Sequence, residues 1–143
     1  MSFRATILGW IHRFFPEKTL GQRGEAVAAR YLKRRGYKIL ARGETRGPGE
    51  LDLVAVDRRR VVVFVEVKTR HTDDYGSPAE AVDPIKQRRL TRLAVTFLRR
   101  HHLLEYPARF DVIAVTWPLS RRRPRIEHIQ NAFEAVGQGE FFS

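Results

Sequence analysis

At 143 residues, 43% hydrophobic and 30% charged, the chain has the length and balance of one folded domain with a real core. Its 27 lysines and arginines against 16 acidic residues leave a net charge of +11, which favours polyanionic partners, nucleic acid ahead of an anionic membrane surface. The absence of cysteine excludes disulfides and a thiolate zinc site, and the histidines at 12, 71, 101, 102 and 128 form no i, i+4 pair of the kind that seats a metal on a helix. No apolar run reaches the roughly 18–20 residues of a membrane span, and no small-residue cleavage site follows ATILGWI. The expectation is a cytoplasmic protein without signal peptide or membrane span.

In chain order, residues 1–18 read as an amphipathic arm, with Phe3, Ile7, Trp10, Ile11 and Phe14 near helical spacing. Such an arm docks on its own domain, on a second copy to make a homodimer, or on a membrane surface. The domain itself is expected over 19–133, with a C-terminal tail over 134–143. Residues 20–35 carry a helical stripe of Val27, Ala28, Tyr31 and Leu32, and Gly36 is placed to end that helix with Tyr37 as its closing contact. YKIL at 37–40 reads as a strand and RGETRGPG at 42–49 as a loop punctuated by Gly and Pro.

Two strands follow, ELDLVAV at 50–56 and VVVFVEVKTR at 61–70, with DRRR between them as a hairpin turn. The second is apolar on both faces, which predicts a central position in its sheet. Residues 71–78 form a loop and 79–82 a short helical turn. Asp83 and Pro84 make an N-cap and first-turn pair for a helix over 84–103, whose Leu90, Leu93, Ala94, Phe97 and Leu98 share one face while Arg88, Arg89, Arg92, Arg99 and Arg100 crowd the other. Strands at 109–117 and near 125–129 complete an α-β-β-β-α-β-β order, a mixed α/β sheet flanked by helices.

Glu66 and Lys68 stand out because they interrupt an otherwise apolar strand, and a buried charge is costly unless it is paired or holds a metal. Alternation puts both on one face. A hairpin brings Asp52, which shares its parity with Glu50 and Val54, beside Glu66. Two carboxylates and the main-chain carbonyl of Val67 make a hard oxygen site suited to Mg²⁺ or Mn²⁺. Lys68 beside them can orient a water or stabilise charge on a phosphate. The bland alternative is a surface ion pair between Glu66 and Lys68 with no chemistry. Asp111 reads as a structural partner for an N–H or an arginine.

These segments resemble a known family. GELDLVAVD followed by FVEVKTR is similar to the D…(D/E)xK signature of restriction-endonuclease-like nucleases. With GQRGEAVAARYLKRRGYKIL, GSPAEAV and RFDVIAV in the same order, the chain more closely resembles the YraN-like family of small bacterial nuclease-related proteins. The resemblance implies the restriction-endonuclease-like fold and a metal-dependent endonuclease, with Asp52, Glu66 and Lys68 catalytic and Glu25 joining Asp52, Glu66 and Val67 around the metal. It further implies water-driven cleavage that leaves a 5′-phosphate, on branched, flapped or single-stranded DNA of recombination or repair. Arg70, Gln87, Arg88 and Arg92 are the expected nucleic-acid contacts. No base-reading motif is present, which favours recognition of shape. The alternative class is a non-catalytic nucleic-acid-binding protein that keeps the nuclease fold. The terminal QGEFF bears a faint likeness to sliding-clamp tails but lacks their middle leucine, and chance is the better reading.

Overall fold

The computed structural model describes residues 19–46, 49–71, 82–118 and 122–136. The 1–18 arm, the turn at 79–81 and the QGEFF tail lie outside these residues, and with them the homodimer and sliding-clamp expectations. The elements are α1 (Leu20–Arg34), β1 (Lys38–Arg46), β2 (Gly49–Val56), β3 (Val62–Arg70), α2 (Pro84–Arg100), β4 (Ala108–Thr116) and β5 (Arg125–Phe133), the α-β-β-β-α-β-β order of a mixed α/β protein.

Local chemistry sets the ends of both helices. Thr19 caps α1 reciprocally: its Oγ1 accepts from the Gln22 amide at 3.1 Å, and Gln22 Oε1 accepts from the Thr19 amide at 3.0 Å. At the far end Gly36 sits at φ +88°, donating to the Lys33 carbonyl while Tyr37 donates to that of Leu32. Asp83 caps α2 through the Lys86 amide at 2.8 Å, with Pro84 in the first turn. That helix stops at Arg100 rather than running to 103. His102 takes the left-handed conformation at φ +56° and donates to Arg99, and Leu103 turns back to donate to Leu98 at 2.7 Å. The closure is the one glycine makes in α1, here made by a histidine.

The sheet is ordered β1-β2-β3-β4-β5, all neighbours antiparallel except β3 and β4, whose parallel pairing requires the α2 crossover. β3 is central, which explains its apolar residues on both faces. Val63 and Val65 pack with Leu53, Ala55, Ile113 and Val115 under Ala28, Ala29 and Leu32 of α1. Val62 and Phe64 pack with Val54, Phe110 and Val112 under Leu90, Ala94, Phe97 and Leu98 of α2. The result is a three-layer α/β/α sandwich.

Two strands are longer than their sequence suggested. β1 continues through Arg46, with Glu44 opposite Leu51 and Arg46 opposite Gly49, so most of the expected 42–49 loop is hairpin. A register shift between Ile39 and Ala41 and the positive φ of Gly43 (+55°) let the strand absorb its irregular composition. β5 likewise reaches Phe133, whose ring stacks on Phe110 at 4.6 Å.

Asp111 is fully buried, as a structural acid must be only if well partnered. It accepts from Arg109 Nε at 3.0 Å and the Asn131 amide at 2.9 Å, with His128 Nε2 at 2.8 Å. Arg109 continues to Asp57 at 2.8 Å and the Tyr37 hydroxyl at 2.9 Å, tying β4 to the β2–β3 turn and the end of α1. Burial pushes the Asp111 carboxyl up, but the His128 and Arg109 hydrogen bonds outweigh it and hold the group below its ordinary range.

Candidate metal centre

β2 and β3 pair only from Leu53–Val65 to Val56–Val62. Beyond that point β2 stays with β1 down to Gly49, while β3 stays with β4 up to Arg70 opposite Thr116. The sheet forks, and Asp52 stands in the fork. Leu51 belongs to the α2-side core and Leu53 to the α1-side core although they are two residues apart, so strand alternation slips at Asp52. That slip lets its carboxylate address groups from both layers. Its Oδ2 accepts the Val67 main-chain N–H at 2.9 Å, a donor left without a strand partner where the ladder ends.

Three acids from two elements converge there. Carboxylate oxygens of Glu25 from α1, Glu50 and Asp52 all lie within 4.8 Å of one another. The Asp52 carboxyl is pushed up to about 7, first by burial and then by the Glu66 charge, with Glu25 adding to it. Burial, then Glu50 and Glu66, also raises Glu25. Like charges held this closely are a liability that a divalent cation removes. Two oxygens on opposite sides of one Mg²⁺ are about 4.2 Å apart and around Ca²⁺ about 5 Å. The cluster is therefore near the size that holds one divalent cation.

Glu66, buried at 8% exposure, points to the α2 side, and its Oε1 is met by Lys68 at 3.5 Å and by Lys86 from the first turn of α2 at 2.5 Å. Burial and the neighbouring Lys86 lower the Lys68 ammonium; burial lowers Lys86 too, but the hydrogen bonds to Glu66 and Lys68 and the Glu66 and Asp52 charges together outweigh it and raise that group. α1 is drawn close to this strand by Gly24. A Cβ there would lie 1.9 Å from Thr69 Oγ1, which is buried without a hydrogen-bond partner.

The expected residues are thus distributed unevenly. Glu25 and Asp52 share the acidic cluster, and Glu66 and Lys68 adjoin it as a pair. Val67 takes part through its N–H. Gln87 gives its amide nitrogen to the Val82 carbonyl at 2.9 Å, and it is the adjacent Lys86 that reaches the site. Arg70 lies along the fork, 3.5 Å from Thr116 Oγ1, while Arg88 and Arg92 are exposed on α2. Glu50 and Lys86 were not among the expected site residues. The shared parity of Glu50 and Asp52 held a signal for the first. Nothing in the pattern marked Lys86 apart from other helical lysines.

Fold and site define a three-layer α/β/α protein with an acidic cluster at the mouth of a forked sheet. The chain belongs to the Uncharacterised protein family UPF0102, the YraN family, whose profile matches residues 24–115. It is 53% identical over 117 residues to a UPF0102 protein of Geobacter sulfurreducens, covering 82% of this chain and 90% of that one. A UPF0102 protein of Rhodopirellula baltica is 49% identical over 125 residues, 86% of this chain and 75% of the relative. Among solved structures the chain is similar to an EndoMS–dsDNA complex (TM-score 0.36, 21% identity, 67% of this chain and 38% of that one). It is similar also to Pyrococcus furiosus SfsA in complex with Ca²⁺ (TM-score 0.37, 13% identity, 78% and 62%). Among the described residues no helix is long and apolar enough to cross a membrane.

Proposed function

We propose that the protein is a divalent-metal-dependent endonuclease that hydrolyses phosphodiester bonds in branched, flapped or single-stranded DNA, in recombination or repair. The observation that carries this reading is the convergence of Glu25, Glu50 and Asp52 within 4.8 Å beside the Glu66–Lys68 pair. The donor set is entirely oxygen, which fits Mg²⁺ or Mn²⁺ rather than a soft metal. Glu25, Glu50 and Asp52 would hold the ion, with Glu66 and the Val67 carbonyl completing the site. When bound, the ion supplies charge that polarises a phosphate oxygen and acidifies a water. Asp52 is kept in place by the Val67 N–H, so it need not reorganise when the ion enters. Glu66 positions the Lys68 ammonium, which orients the attacking water and meets negative charge growing on the phosphate. The net charge of +11 draws the polyanion in, and the exposed Arg88 and Arg92 of α2 offer phosphate contacts.

A second reading is favoured by one observation: Lys86 already sits on Glu66, a cation supplied by the chain itself. On that reading the protein binds nucleic acid without cutting it. The two are separated by incubating wild type, Glu66→Ala and Lys68→Ala with end-labelled branched and single-stranded DNA in Mn²⁺. The nuclease reading expects cleavage by wild type alone, falling by about 10²-fold or more in each variant. Equal activity in all three rejects the assigned site, and intact DNA with salt-sensitive binding supports the second reading.

A further inference from the structure

On the flank of α1 roughly half a turn from Glu25, a concave groove of about 480 Å³ lies between the C-terminal half of that helix and the start of β5. Its walls carry Arg30, Arg34 and Arg35 from α1 and Arg123 from the segment before β5, with no acidic residue in the lining. No acid among the described residues pairs with Arg30, Arg34 or Arg123. Val27 and Ile126 form an apolar floor. Arg35 lies over the Tyr31 ring, its guanidinium carbon 4.1 Å from the centroid, and His128 meets that ring edge-on at 5.5 Å from beneath the sheet side. Tyr31 therefore supports one guanidinium at the groove through its ring face.

Unpaired arginines at the end of a helix are ordinarily a solvated face, and Arg34 is also favourably placed beside the carboxyl end of the α1 dipole. What distinguishes this set is that two separate chain segments contribute to one concavity, and that it holds four guanidinium groups without a counter-charge. Guanidinium forks match phosphate geometry, and an apolar floor suits the sugar edge of a strand. A concave track with apolar residues at its base fits a strand better than a flat lipid surface, which would need apolar side chains projecting outward.

We propose that this groove is a second nucleic-acid-binding site, distinct from the acidic cluster, that grips the sugar–phosphate backbone of a single strand. It lies on the far side of α1 from the candidate metal centre, so it anchors the strand without reaching the residues that would cut it. The contacts are to phosphate and sugar, and binding there is independent of base sequence.

The test is binding in EDTA, which separates it from any cleavage. Fluorescence anisotropy of a labelled 20-nucleotide single strand is followed across salt concentrations for wild type, Arg30→Gln/Arg34→Gln/Arg123→Gln, and the same three positions changed to Lys. All three side chains are exposed, so folding is expected to be unaffected, with far-UV circular dichroism as the check. The Gln variant is expected to lose about tenfold or more in affinity and to lower the log–log salt slope by about 2, the value for three lost single-strand phosphate contacts. The Lys variant should retain most of the slope. An unchanged affinity and slope in the Gln variant overturns the site, as does an absence of binding by wild type. So does a loss confined to flotation on anionic phosphatidylserine vesicles with oligonucleotide binding intact.

Discussion

The main-chain N–H of Val67 is held by the Asp52 carboxylate at 2.9 Å, across the point where β2 and β3 part. A strand donor that would otherwise be orphaned by the fork is satisfied by the acid that stands in it. The same contact anchors the carboxylate that shares a cluster with Glu25 and Glu50. Sheet architecture and site geometry are one arrangement here.

The first consequence concerns pH. Asp52 titrates at about 7 in the folded protein against an ordinary 3.8, so the native state holds its proton more tightly than the unfolded chain does. Its contribution to stability is complete below about pH 4 and is lost as pH rises through about 7. In EDTA, Tm should fall across that window, and Mn²⁺ should restore more stability at pH 8 than at pH 5. Asp52→Asn should flatten both trends. A chelated wild type whose Tm does not respond to pH between 5 and 8 would remove the strained cluster from the picture.

The two lysines on Glu66 should separate in their effects. Lys86→Met removes a competing positive charge and is expected to tighten Mn²⁺ binding several-fold by calorimetry. Lys68→Met should leave Mn²⁺ affinity within about threefold of wild type while lowering cleavage by about 10²-fold. Equal effects of both substitutions on both quantities would mean that the lysines act only as generic charge.

Gly24 permits the close approach of α1 to β3, since a Cβ would lie 1.9 Å from Thr69 Oγ1. Gly24→Ala should cost about 1–3 kcal/mol in urea unfolding. Thr69→Ala combined with it should recover much of that loss, because it removes the 1.9 Å contact with Oγ1 and leaves only the 3.1 Å one with Cβ. Simple addition of the two single effects would contradict the steric explanation.

Asp111 gives the opposite pH dependence to Asp52. Its hydrogen bonds hold the carboxyl below the ordinary range, so its stabilisation is present above about pH 4 and is lost as pH falls through the folded-state value. Asp111→Ala leaves the Arg109 guanidinium without one of its two acid partners and should cost about 3–5 kcal/mol at pH 7. The difference from wild type should narrow at pH 2–3.

Much of the architecture was legible because it depends on local signals. The double-sided apolar run of β3 marked a central strand, Gly36 marked the end of α1, and Asp83–Pro84 marked the start of α2. The extent of β1 was not legible, because hairpin pairing to β2 overrides the Gly- and Pro-rich composition of 42–49. His102 falls outside α2 because it closes the helix in the left-handed conformation, which turns Leu103 back to pack against the core. Alternation put Glu66 and Lys68 on one face and gave Glu50 the parity of Asp52, but it could not show the slip at Asp52 or the approach of Glu25 from α1. Lys86 reached Glu66 by the length of its side chain, which no periodicity records.

The most direct measurement is anomalous diffraction from crystals soaked in Mn²⁺ near pH 8. A single peak within about 2.5 Å of Asp52 and Glu50 oxygens, with Glu25 or Glu66 alongside, is the expected result. Manganese density absent from the fork, or confined to surface acids elsewhere, would contradict the metal centre.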